Sequence, residues 1–168
     1  NSVWTEIVTE KIRKQEEVLK TLCKKEHKLL AQYIYEMEPG DCTNREGHAA
    51  KVYFNALFGK DFTRTSDSSI NAALNYGYSL ILSTINREIT ANGYITQIGI
   101  FHDNMFNPFN LGSDLMEPFR PIVDMEVYIT DPKQFEHNEK IHMLTILERE
   151  VFIGGKRECL SNAIKIYC

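Results

Sequence analysis

Apolar side chains recur through most of this chain at intervals of three and four residues, the spacing that places them on one face of a helix. From Val3 to Lys25 they are Trp4, Ile7, Val8, Ile12, Val18, Leu19 and Leu22. A second helix is expected from about Glu26 to Met37, where Pro39-Gly40-Asp41 breaks the pattern. A third runs from Glu46 to Phe58 and ends at Gly59. Asp61 to Ser69 is a polar loop. The longest periodic segment follows, from about Ser69 to Ala91, with Asn92-Gly93 as its stop signal. At the helical rise it spans about 35 Å. It is apolar nearly all round, which predicts a place at the centre of a bundle.

Tyr94 to Asn110 is rich in Gly, Asn and Phe and reads as irregular. A helix is expected from about Leu111, kinked near Glu117 because Pro118 and Pro121 fall inside it. Pro132 marks another break. His137 to Glu150 reads as helix, Val151 to Glu158 with Gly154-Gly155 as a short hairpin, and a last helix begins near Cys159. The pattern predicts an all-α, multi-helix bundle with at most a short β-hairpin. There is no internal repeat.

The 168 residues suit one domain, and 43% hydrophobic content suffices for a core. No apolar run is long enough to span a membrane, and the start lacks the features of a signal peptide. Cys23, Cys42, Cys159 and Cys168 are scattered without a Cys-x-x-Cys pair, which argues against structural zinc and for a reduced, intracellular protein. Net charge is −4 but uneven: Lys11 to Lys28 holds seven Lys/Arg against three acids. Contact with nucleic acid is therefore expected from a local basic surface, although such a run is more often a solvated helix face. Both ends are abrupt, as in a piece of a longer protein.

Glu46, His102 and Glu117 stand out. Two carboxylates and one imidazole suit Mg²⁺ or Mn²⁺, ions that drive phosphodiester chemistry. Asp114 lies three residues before Glu117, on the same helix face. Spacing alone also permits plainer roles: solvated faces for Glu46 and Glu117, a loop histidine capping a helix for His102. Arg120 reads two ways, holding a phosphate or pairing with Glu117 or Asp114. Asn71 and Asn75, four apart in an apolar helix, face one polar cavity. Tyr76 and Tyr78 in the same helix read first as core. Asn104, Asn107 and Asn110 are expected to cap and turn their loop. His48 points away from Glu46.

Three stretches go further than spacing does: Glu46-Gly-His-Ala-Ala-Lys-Val-Tyr-Phe54, Ile70-Asn-Ala-Ala-Leu-Asn-Tyr-Gly-Tyr-Ser-Leu80 and Asp114-Leu-Met-Glu-Pro-Phe-Arg-Pro121. Together they resemble the CRISPR-associated adaptation integrase family, CRISPR-associated protein one. His102-Asp-Asn-Met-Phe-Asn-Pro-Phe-Asn110 is most similar to its type II branch. The resemblance spans essentially the whole chain and is to the family's α-helical catalytic domain, without its N-terminal β-domain. It implies a metal-dependent DNA integrase and endonuclease of prokaryotic cytoplasm that inserts short DNA fragments as new spacers by transesterification at the CRISPR repeat. It matches Glu46, His102 and Glu117 to the Mg²⁺ or Mn²⁺ ligands, with Asp114 assisting and Glu117 standing where the family often has Asp. Arg120 matches a basic position, and the nucleic-acid face is expected to include Asn71, Asn75, Tyr76 and Lys51. Met105 stands where some relatives carry Lys. The implied partners are double-stranded DNA (incoming fragment and repeat), CRISPR-associated protein two and a second copy of the protein.

Overall fold

The structure is a computed structural model and describes residues 2–168. It is all-α apart from one two-stranded hairpin. The helices are α1 (Ser2–Thr21), α2 (His27–Tyr35), α3 (Arg45–Phe58), α4 (Ser69–Ala91), α5 (Asn110–Leu115), α6 (Arg120–Thr130), α7 (His137–Leu144) and α8 (Leu160–Tyr167). No described helix is long and apolar enough to cross a membrane.

The longest helix has the bounds that its punctuation predicts. Ser68 is extended, and its hydroxyl accepts from the Asn71 amide. At the far end the amides of Asn92, Gly93 and Tyr94 close the last turn onto the Glu88, Thr90 and Ile89 carbonyls respectively. The kink expected near Glu117 is present as a 3₁₀ turn, Glu117–Phe119, between α5 and α6. Pro118 supplies no amide there, and Pro121 sits in the first turn of α6. The hairpin joins Glu150–Ile153 (β1) to Lys156–Cys159 (β2), with Ile153 opposite Lys156 and positive φ at both Gly154 and Gly155.

One boundary differs. The helix expected over His137 to Glu150 ends at Leu144, continues as a 3₁₀ turn over Thr145–Glu148, and gives way to β1 at Glu150. Pairing of Glu150 with Cys159 across the hairpin outweighs the helical spacing there.

Two apolar cores form. One gathers Trp4, Ile7, Val8, Ile12 and Leu19 of α1 with Leu30 of α2 and Ala49, Tyr53 and Leu57 of α3. The other surrounds α4, whose Leu74, Ile81 and Ile85 meet Val123 and Val127 of α6, Met143 of α7, and Leu160 and Ile164 of α8. Phe54, Phe58 and Leu115 pack against both and fuse the two cores. The segments that carry Glu46 and Glu117 begin on opposite sides of this seam.

Candidate active site

Glu46 is aimed by the turn before α3. The Asp41 carboxylate accepts from the amides of Arg45 at 2.6 Å and Glu46 at 3.0 Å. The same turn is tied to α1, where the Thr5 hydroxyl accepts from the Gly40 amide at 2.7 Å. Glu117, only 4% exposed, sits in the 3₁₀ turn packed along α1.

Lys11 links them. It lies on the apolar stripe of α1, between Val8 and Ile12 on one side and Gln15 on the other. Its Nζ is 2.6 Å from Glu46 Oε1 and 2.5 Å from Glu117 Oε2. Arg120 Nε donates to the other Glu117 oxygen at 2.8 Å. Burial pushes the Glu117 carboxyl up, but Lys11 and Arg120 more than offset it and hold it below the usual glutamate range. Burial likewise disfavours the Lys11 charge, and Glu117 and Glu46 override it, leaving the ammonium above its ordinary value.

His102 belongs to a separate pair. Its Nδ1 lies 2.5 Å from Asp114 Oδ1, so the ring donates from Nδ1 and Nε2 is left for another partner. Asp114 is fully buried and organises the whole loop: Oδ2 accepts from the amides of Ile100 at 2.6 Å and Phe101 at 3.0 Å, and Oδ1 from the His102 amide at 3.2 Å. A side chain at Gly99 would run into the His102 carbonyl and the Asp114 carboxylate. Phe101 stacks on Trp4 of α1 at 4.4 Å between ring centroids, and the His102 ring meets Trp4 edge-on at 6.0 Å. Asn104 and Asn107 turn the loop as their type predicts, accepting from the amides of Phe106 and Phe109. Buried Asn110 donates to Gln97 and Asn104 carbonyls.

The structure therefore brings Glu46 and Glu117 onto one cation, an ammonium, and pairs His102 with Asp114 instead. Among the described residues no three His, Cys, Asp or Glu side chains stand together in metal-holding geometry. The Asp114 oxygens are spent on the loop amides and on His102.

A cleft of about 190 Å³ opens beside this cluster, lined by Lys11, Gln15, Phe54, Arg64, Tyr78, Glu117, Arg120 and Asp124. Arg120 and Arg64 both lie over the Tyr78 ring, at 4.6 and 5.4 Å from its centroid. Asn71 and Asn75 hold Arg64 in place by accepting from its two terminal nitrogens. Asn71 also donates to Thr63 and Ser66, so this buried side chain serves the loop and the arginine. Tyr76 packs on Phe135, and Lys51 is exposed on α3. Tyr78 is core, as its helix predicts, yet its hydroxyl donates to Asp124 at the bottom of the cleft. Burial pushes the Asp124 carboxyl up to about 7, against the pull of Tyr78 and Arg120. Burial and then the Asp124 charge push the Tyr78 hydroxyl well above the usual tyrosine range.

Sequence reasoning missed Lys11, Arg64, Gln15 and Asp124. Each carried a signal. Lys11 and Gln15 fall on the apolar stripe of α1, Asp124 falls between Val123 and Val127 on α6, and Arg64 is the one basic residue in the loop from Asp61 to Ser69.

Comparison with known proteins shows the family of the chain. The sequence profile described as CRISPR associated protein Cas1 matches residues 2–154. A CRISPR-associated endonuclease Cas1 of Neisseria meningitidis is 41% identical over 129 residues, covering 74% of this chain and 41% of that protein. The Cas1 protein TM1797 of Thermotoga maritima shares the fold over 98% of this chain and 61% of its own, with a TM-score of 0.79 at 20% identity. A casposase bound to integration product superposes over 98% of this chain and 60% of its own, with a TM-score of 0.73 at 21% identity. A chain of a Cas6-RT-Cas1–Cas2 complex gives a TM-score of 0.73 at 18% identity, over 98% of this chain and 22% of that one. At these structural identities the fold alone is shared. The profile and the Neisseria relative go further: this chain belongs to the CRISPR associated protein Cas1 family.

Proposed function

We propose that this chain is the helical catalytic domain of a type II integrase of CRISPR adaptation, which joins short DNA fragments to the repeat by transesterification. The observation that carries the reading is the convergence of Glu46 and Glu117 on a single cationic group, Lys11 Nζ, at 2.6 and 2.5 Å. A pocket in which two remote carboxylates meet one ammonium has the size and charge for a small divalent ion. In this reading Glu46 and Glu117 hold Mg²⁺ or Mn²⁺, with His102 joining through Nε2 while Asp114 fixes its tautomer. When bound, the ion would neutralise charge at the phosphate and lower the pKa of the attacking hydroxyl, making it the better nucleophile.

The rest falls to the chain's own groups. Arg120 and Arg64 offer N–H donors to phosphate oxygens from one wall of the cleft. A 3′-hydroxyl of the incoming fragment attacks the repeat phosphodiester, one P–O bond forms, and the strand's own 3′-oxygen leaves. No covalent bond to the protein is required. Asn71 and Asn75 contribute by holding Arg64; Tyr76 and Lys51 belong to the proposed DNA face by resemblance alone. The fold shared with a casposase bound to integration product and with a chain of a Cas6-RT-Cas1–Cas2 complex supports DNA and CRISPR-associated protein two as partners; the same reading takes the DNA as double-stranded and adds a second copy of the chain and a prokaryotic cytoplasmic setting.

Glu117→Ala in the full-length protein is expected to abolish strand transfer while leaving the circular dichroism spectrum unchanged. Joined product from that variant overturns the site. A second reading draws on the lack of a three-donor group among the described residues: a helical module that binds DNA or protein without chemistry. Loss of Mn²⁺ binding in Glu46→Ala, His102→Ala and Glu117→Ala alike favours the enzyme. Metal-indifferent DNA binding by all three favours the module.

A further inference from the structure

We propose that Lys11 is a positioning residue for the cation seat: its ammonium group fills the space between Glu46 and Glu117 in the metal-free protein and moves to Gln15 when a divalent cation enters. The inference rests on the metal reading above and extends it to two residues outside the expected ligand set.

Three observations carry it. The first is occupancy. Lys11 Nζ lies within 2.6 Å of one oxygen from each carboxylate, so an ion bridging those oxygens and this ammonium exclude each other. The second is charge. Glu46, Glu117, Lys11 and Arg120 balance to zero in a largely buried cluster. Adding two positive charges without moving a cation would leave an uncompensated excess there, which costs more than moving a flexible side chain. Arg120 is fixed by Glu117 and by the Tyr78 ring, whereas Lys11 is held by the two carboxylates alone.

The third observation is a place to go. Gln15 is four residues beyond Lys11 on the same face of α1 and lines the adjoining cleft. It is 2% exposed, and its Oε1 is buried without a hydrogen-bond partner. An orphaned acceptor one helical turn away is an unusual expense in a packed helix. It is explained if the lysine ammonium donates to it in the second state, with the Asp124 carboxylate in the same cleft.

The test is Mn²⁺ affinity of the whole chain, read from the electron paramagnetic resonance of free Mn²⁺, for wild type, Lys11→Met, Gln15→Leu and Glu117→Gln. Lys11→Met removes the competitor and is expected to bind about tenfold tighter or better. Gln15→Leu removes the landing place and is expected to bind several-fold weaker. Glu117→Gln is expected to lose binding. If Glu117→Gln loses binding but Lys11→Met binds no tighter than wild type, the counter-ion role is overturned while the metal site stands. If Glu117→Gln binds as wild type does, the metal reading itself falls. Should Lys11→Met fail to fold, Gln15→Leu decides alone, and unchanged affinity in it overturns the proposal.

Discussion

At the scale of single residues, charge on an apolar stripe is the informative signal. The run Lys11 to Lys28 is basic by composition, but only Lys11 of it points inward, because it alone shares the helical face of Trp4, Val8 and Ile12. Counting charges hides this; asking which face each occupies reveals it. Asp124 follows the same logic, and it yields a pH prediction. Tyr78 from α4, Tyr53 from α3, Lys11 from α1 and Arg120 from its own helix face its carboxyl. Burial raises it to about 7, so the native state keeps this proton after the unfolded chain has lost it near pH 4. Its contribution to stability is fully present below that lower pH and is lost as pH rises through about 7. Asp124→Asn, which still accepts from Tyr78, is expected to gain on wild type by on the order of a few kcal/mol between pH 4 and pH 8. Chemical denaturation at both pH values checks it; a constant difference between the proteins would sink the assignment.

At the scale of elements, the fold was legible wherever local punctuation and packing agreed. Ser68 and Asn92-Gly93 bound α4 correctly, and Pro118 and Pro121 located the kink that carries Glu117. The end of α7 was not legible, because strand pairing with a segment further along decides it. Convergence of Glu46 with Glu117 was legible only through motif resemblance; the ammonium between them follows from tertiary packing. Two predictions belong here. Gly77 lets α4 approach α6, since a Cβ there would run into Val123 and crowd Met143. Gly77→Ala is expected to cost about 1–3 kcal/mol, measured by thermal unfolding. The loop before α5 hangs on Asp114 by three amides and one imidazole. Asp114→Ala is expected to speed amide exchange at Ile100, Phe101 and His102 by an order of magnitude or more while leaving α4 protected. Unaltered exchange at those amides would show that the Trp4–Phe101 stack and the Asn110 bonds hold the loop without Asp114.

At the scale of the molecule, the match to the Neisseria relative spans 41% of that protein. This chain alone is therefore expected to integrate DNA poorly beside the full-length protein, with the difference read as joined product on a denaturing gel. Efficient joining by these residues alone would mean that the bundle carries every surface the reaction needs. Binding of duplex DNA is expected to weaken steeply with salt, because net charge is −4 and any attraction comes from local Lys and Arg.

The seam between the two cores has a mechanical corollary. Glu46 is anchored to the α1–α3 pack and Glu117 leads into the α4–α8 pack, so the gap between their carboxylates is a gauge of how the halves are tilted. In the metal reading proposed above, a shift of one half against the other is therefore expected to change Mn²⁺ affinity.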